Sequence, residues 1–285
     1  MSIIGIIGGS GLYELEGLKN IEEIEVNTPF GKPSDKLIKG ELEGKTLIFL
    51  PRHGKGHKIP PHKLNFRANI YALKMMGVER IISVSAVGSM KDEIKPGDMV
   101  IVDQFIDRTW GRESTFFEEG IVGHVSFAEP VCPELKEILY NASKKVVERT
   151  HKNGTYICIN GPQFSTKAES FLYRSWNVDV IGMTNVNEAK LAREAEICYI
   201  TLALATDYDC WKEDNSVTVE EVIKILNQNI ENAKKIIAEA VKNIPEKREC
   251  PCKNALQNAI LTNPKAIPQE IKEKLNLIIG KYVSN

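Results

Sequence analysis

The chain has 285 residues, is 42% hydrophobic and 26% charged, and carries a formal net charge of -1. That composition excludes disordered and collagen-like classes and leaves room for one large domain or two small ones. Near-balanced charge argues against a partner that is nucleic acid or an anionic membrane, because a polyanion binder needs an excess of Lys and Arg on one face.

No apolar run approaches the roughly 20 residues of a membrane span; the longest runs from Ile197 to Thr206. No Lys or Arg precedes the first apolar stretch, Ile3 to Ile7, so the charged leader of a secretory signal is missing and a cytoplasmic location is expected. Short β-branched runs then recur at Thr46 to Leu50, Arg80 to Ser85, Met99 to Val102, Thr155 to Ile159, Val178 to Ile181 and Cys198 to Leu204. Between them Leu64 to Met76, Pro133 to Arg149 and Asn187 to Glu196 have helical spacing, as does a long segment from Val219 to Val241. The pattern predicts an α/β fold with a mixed, mostly parallel central sheet flanked by helices in three layers. Residues 1–245 read as one domain. After Pro245 the composition shifts to Lys, Glu, Asn and Pro, and 246–285 reads as a C-terminal extension with a helix after Pro268, packed on the same domain or a neighbouring subunit.

Six cysteines are too few for a disulfide scaffold. Cys132, Cys158, Cys198 and Cys210 stand singly, where a small buried thiol is the simplest reading. Cys250 and Cys252 form a local pair, but their spacing is not that of a zinc knuckle and no His lies near, so no metal site is expected. An oxidised Cys250–Cys252 pair is the alternative for an oxidising environment.

Several strand ends carry small polar residues of chemical interest. The first strand enters Gly8-Gly9-Ser10-Gly11, a turn that either bends tightly or offers backbone N–H groups and the Ser10 hydroxyl to an anion. It lacks the third glycine of a dinucleotide fingerprint and the Lys of a P-loop. Arg52 and His53 open a turn-rich loop with three of the five histidines. Their fork and imidazole suit an oxyanion better than a metal, for which no carboxylate or thiolate is interleaved. Ser85 and Ala86 end the next strand, Phe164 and Ser165 follow a Gly-Pro turn, and Met183 and Thr184 follow Gly182. Thr206, Asp207 and Asp209 end the strand beginning at Cys198; on extended backbone the two aspartates would face one ligand and raise each other's proton affinity. Strand ends of an open α/β sheet converge on one crevice.

In order and spacing these segments resemble the trimeric purine nucleoside phosphorylase family, and within it the branch acting on 5′-methylthioadenosine. The matching stretches are IIGGSG from Ile6, TPFGKPSD from Thr28, RHGKGH from Arg52, SVSAVGS from Ser83, DQFIDRT from Asp103, GPQFST from Gly161, GMT from Gly182 and ATDYDCW from Ala205. The resemblance implies phosphorolysis of S-methyl-5′-thioadenosine to adenine and 5-methylthioribose 1-phosphate. It implies a phosphate site of Ser10, Arg52, His53, Ser85, Ala86 and Thr184, the ribose near Met183, and the purine near Phe164, Thr206, Asp207 and Asp209. Asp207 would protonate the leaving base. Ser165, Val219, Val222 and Ile223 would set specificity for the 5′ substituent, and His124 would come from a neighbouring subunit of a trimer or dimer of trimers. Inorganic phosphate is then a co-substrate, with no cofactor or metal expected. A rival 6-oxopurine nucleoside or methylthioinosine phosphorylase would carry Asn at position 207, whereas a carboxylate accepts from a 6-amino group. Gln163, Asn185 and Asn187 depart from the branch pattern.

Overall fold

A computed structural model describes residues 2–9, 11–12, 14–212 and 219–283, without the side chains of Val219, Glu221 and Val222. Among the described residues eleven strands form one sheet. At its centre lie β1 (Ile3–Gly8), β4 (Lys45–Pro51), β5 (Val78–Ser89) and β11 (Cys198–Asp207). β1 pairs in parallel with β4 and β5, and β5 in parallel with β11. On one side β2 (Lys19–Ile24) and β3 (Leu37–Leu42) extend the sheet antiparallel to β4. On the other, β6 (Met99–Val102) runs antiparallel to β11 and carries the short β8 (Thr150–His151). Beyond the end of β1, the far end of β5 pairs antiparallel with β10 (Val180–Gly182) while still paired with β11, and β10 continues in parallel through β9 (Thr155–Ile159) to β7 (Gln104–Arg108).

Side chains alternate faces along a strand, and the central strands are apolar on both faces because helices cover both. Ile4, Ile6, Leu47, Phe49, Ile82, Val84, Ile200, Leu202 and Leu204 share one core with α2 (Pro133–Val146) and α5 (Val219–Asn243). Ile7, Ile48, Leu50, Ile81 and Tyr199 face the opposite core, with α1 (Phe66–Met75) and α4 (Asn185–Glu194). The expected three layers and mixed sheet are therefore present. The sequence reading passed over β2, β3, β7, β8 and the helix α3 (Lys167–Ser175), which opens with a capping box between Thr166 and Glu169.

Beyond residue 245 the chain packs on the second core. Leu256, Ala259 and Ile267 join it, followed by Leu275 just after α6 (Gln269–Lys274) and by Ile278, Ile279 and Val283 from α7 (Asn276–Val283). Glu196, at φ +55°, receives the Leu256 N–H at 3.0 Å, Lys281 Nζ at 3.2 Å and the Tyr282 hydroxyl, while its own carbonyl accepts from Arg248 Nη1 at 2.8 Å. Ile279 is fully buried. Ile279→Ala should lower unfolding free energy by about 2–5 kcal/mol in a urea titration. A loss below about 0.5 kcal/mol, the scale of a neutral surface change, would mean that the C-terminal helices stabilise the domain little.

Candidate active site

The carboxyl ends of β1, β4, β5, β9, β10 and β11 open onto one cavity of about 840 Å³. Gly9 and Gly11 line it after β1, Arg52 and His53 after β4, and Val84 to Gly88 along the end of β5. Gly182 ends β10 with Met183 and Thr184 just after it, and Thr206, Asp207 and Asp209 come from the end of β11 and the turn beyond it. Gly182 has to be glycine, since a Cβ there would lie 2.0 Å from the Tyr156 hydroxyl oxygen.

One wall of the cavity carries Arg52, His53, Ser85 and Thr184. Arg52 is 3% exposed. Its Nε–H and one Nη2 hydrogen are taken by Glu188, the second Nη2 hydrogen by Ser83 Oγ at 2.6 Å, and one Nη1 hydrogen by the Val84 carbonyl at 3.0 Å. Burial would lower its pKa, but the charge and hydrogen bonds of Glu188 outweigh that and hold the guanidinium charged. The sequence reading gave this fork to an oxyanion; its bidentate face is instead turned to Glu188, and one Nη1 hydrogen remains for the cavity among the described residues. Glu188 is itself 1% exposed and accepts from Ser83 at 2.7 Å and the Tyr199 hydroxyl at 2.9 Å.

His53 Nδ1 lies 2.8 Å from the Ile59 carbonyl, which can only accept, so Nδ1 carries the proton. Burial and then the Arg52 charge push the His53 pKa down to about 4. The ring is thus neutral at pH 7, with Nε2 a bare acceptor, and it stacks on His57 at 4.2 Å between centroids. Ser85 is buried, with its hydroxyl 3.4 Å from that of Tyr156. Thr184 caps the N-terminus of α4, where the helix dipole favours an anion.

The other wall carries the aspartates. Asp207 accepts from Thr206 Oγ1 at 2.7 Å and from the Asp209 backbone N–H at 2.8 Å. Its pKa is nevertheless raised, chiefly by burial and to a lesser degree by the Asp209 charge. The two aspartates are not alternate residues of an extended strand. β11 ends at Asp207, and Asp209 sits at φ +46° in a 3₁₀ turn, its carboxylate accepting from Ser165 and Ser170. Asp209 therefore ties the 160–170 segment to the end of β11, and burial does most of what mutual repulsion was expected to do. Phe164, 84% exposed, stands at the mouth of the cavity.

Ser10 lies outside the described residues, as do the side chains of Val219 and Val222. Ile223 is half exposed and does not line the cavity; Leu226 and Ile230, one and two turns further along α5, do. His124 is exposed and lies away from the chain's own cavity. Sequence reasoning missed Glu188 as the partner of Arg52, although its place in the first turn of α4 was visible. It also missed Arg112, which donates to the Asn160 carbonyl at 2.6 Å, the Met183 carbonyl at 2.7 Å and Asn187 Oδ1 at 2.9 Å, fixing the Met183 loop. The unusual Asn185 and Asn187 have buried hydrogen-bonding roles: Asn185 Nδ2 lies 2.9–3.0 Å from Ser83, Tyr199 and Thr201 hydroxyls. Gln163 is exposed.

Comparison with known proteins agrees with this geometry. The phosphorylase superfamily matches residues 3–242. A protein of Geobacter sulfurreducens named S-methyl-5'-thioadenosine phosphorylase is 58% identical over 283 residues, covering 99% of both chains. A methylthioadenosine phosphorylase from an antarctic soil metagenomic library superposes with a TM-score of 0.94 at 48% identity, over 97% of this chain and 98% of the other. A Schistosoma mansoni adenosine/methylthioadenosine phosphorylase variant in complex with methylthioadenosine gives 0.80 at 34% identity, over 98% of each. With its sheet, cavity and strand-end motifs all in the family's order, the chain belongs to the phosphorylase superfamily.

Proposed function

We propose that the protein catalyses phosphorolysis of S-methyl-5′-thioadenosine to adenine and 5-methylthioribose 1-phosphate, a reaction of purine and methionine salvage. The observation that carries this reading is the pairing, across one cavity, of a wall at Arg52, His53, Ser85 and Thr184 with a buried carboxyl of raised pKa at Asp207. Breaking an N-glycosidic bond builds positive charge on the sugar and negative charge on the base. An anionic nucleophile is needed on one side and a proton donor at purine N7 on the other. Phosphate at the first wall supplies the nucleophile and stabilises the oxocarbenium-like sugar, as a carboxylate does in glycosidases. Inorganic phosphate is a co-substrate, and no step as proposed calls on a cofactor. Neutral His53 suits hydrogenphosphate, whose hydroxyl donates to Nε2. The remaining Nη1 hydrogen of Arg52 and the end of α4 face its charged oxygens. The methylthio group would lie against Leu226 and Ile230.

The active species is proposed to be a trimer or dimer of trimers, with His124 reaching a neighbour's cavity. Supporting this, Val122 and Leu261 are exposed apolar residues held beside His124 by the Leu261 N–H to Val122 carbonyl bond of 2.9 Å. His124→Ala should raise KM for methylthioadenosine while leaving KM for phosphate near its original value, and sedimentation should give a trimer or a multiple of it. An active monomer would overturn the assembly.

Arg52→Ala should raise KM for phosphate far more than KM for nucleoside, since it removes a charge-assisted contact worth about 1.5–3 kcal/mol. It also leaves Glu188 buried and unpaired, so stability should fall by about 3–5 kcal/mol. Unchanged phosphate dependence would remove Arg52 from the anion site.

Asp207→Asn should lower kcat/KM for methylthioadenosine by about 10²-fold or more, the scale of a lost general acid, and harm methylthioinosine less. Because the carboxyl must be protonated to act, wild-type kcat should fall as pH rises through the raised Asp207 pKa, a limb the Asn variant lacks. Equal losses on both nucleosides, or wild-type preference for methylthioinosine, would sink the adenine assignment. No cleavage without phosphate is expected; phosphate-independent release of adenine would make the protein a hydrolase.

A further inference from the structure

Four of the six cysteines, scattered in sequence, meet at one point of the core. Cys132 is the residue before α2, Cys198 opens β11, and Cys250 and Cys252 flank the start of the 3₁₀ turn Pro251–Asn254 that follows α5. All four are buried, and their sulfurs all lie within 4.8 Å of one another, Cys198 and Cys250 at 3.2 Å. All are free thiols. We propose that these four cysteines form a structural zinc site.

A tetrahedron of thiolates around zinc, with Zn–S near 2.3 Å, has sulfurs about 3.8 Å apart, so the cluster needs only small adjustments to close on a cation. The donor set is all thiolate, which selects zinc over the hard cations magnesium and calcium. Four protein ligands leave no open position, which marks a structural site. Binding exchanges four thiol protons, released to solvent, for one Zn²⁺ and leaves the cluster with a charge of -2.

The surroundings suit that charge. Arg80, the register partner of Cys198 across β5 and β11, is completely buried, and its Nε and Nη2 have no hydrogen-bond partner among the described residues. Cys132 sits at the positive end of α2. A metal here would staple the start of the 246–283 segment to β11 and α2, far along the chain from either, and so fix the end of α5, the helix that brings Leu226 and Ile230 to the cavity.

The test is metal content of protein produced with zinc in the medium and purified with reductant and without chelator. About one zinc per chain is expected. Cys252→Ser and Cys132→Ser should lose it, and Cys210→Ser, outside the cluster, should retain it. Stripped, reduced wild-type protein titrated with cobalt(II) should develop the sulfur-to-cobalt charge-transfer and visible bands of a tetrahedral thiolate complex. It should saturate at one equivalent and bleach on zinc addition. The cobalt titration stands even if the serine variants fail to fold. Reduced protein without zinc that gives no cobalt bands would overturn the site. So would a purified chain whose intact mass and thiol count show these cysteines joined as two disulfides.

Discussion

The buried Arg52–Glu188 pair holds together the parts of the site. Arg52 follows β4 and Glu188 lies in the first turn of α4, and the residues that complete their hydrogen bonds, Ser83, Val84 and Tyr199, belong to β5 and β11. Two charges taken out of water are tolerated only when both are paired and their remaining hydrogen-bonding groups are satisfied. Here Glu188 accepts from Arg52, Ser83 and Tyr199, while Asn185 donates to the same hydroxyl cluster. The network fixes the rotation of α4 against the sheet. The helix N-terminus at Thr184 and the end of β4 consequently face the same cavity.

The two walls owe their chemistry to the same burial acting on opposite kinds of group. Desolvation disfavours charge, so it lowers the pKa of His53 to about 4 and raises that of Asp207. An imidazole is left neutral and a carboxyl is helped to keep its proton. Arg52 stays charged as a guanidinium does, and the charge and hydrogen bonds of Glu188 raise its pKa further against the opposing effect of burial. One wall of the cavity thus presents a neutral imidazole beside a paired guanidinium, and the other a carboxyl whose pKa is raised. A second, unpaired cation near Asp207 would work against that acid.

The C-terminal segment shows how distant parts of the chain share one stability. Apolar residues of 256–283 complete the core beneath α1 and α4, and Glu196 gathers bonds from Arg248, Leu256, Lys281 and Tyr282. On the opposite face, the beginning of the same segment meets β11 and α2 through the cysteine cluster. The extension is thus gripped from both sides of the sheet that forms the cavity floor.

The sequence alone pointed to the central strands, the main helices and the strand-end motifs, because runs such as Ile3 to Ile7 and Cys198 to Leu204 are short, β-branched and apolar on both faces, as strands of a sheet covered by helices are. It left β2 unread, since Lys19–Ile24 is almost wholly exposed and has no apolar pattern. The helix α3 was signalled only by its capping box. Arg52, His53, Thr184 and Asp207 were legible as strand-end polar groups. What they bind to within the protein was not, because Arg52 and Glu188 are 136 residues apart and no local spacing encodes such a pair. The same holds for the four thiols. Cys132 and Cys198 look like ordinary buried residues until the parallel sheet and α2 bring them to Cys250 and Cys252. Local sequence sets period and turn chemistry; which buried charge meets which, and which sulfurs share a point, is decided only when layers pack and every desolvated polar group must find a partner.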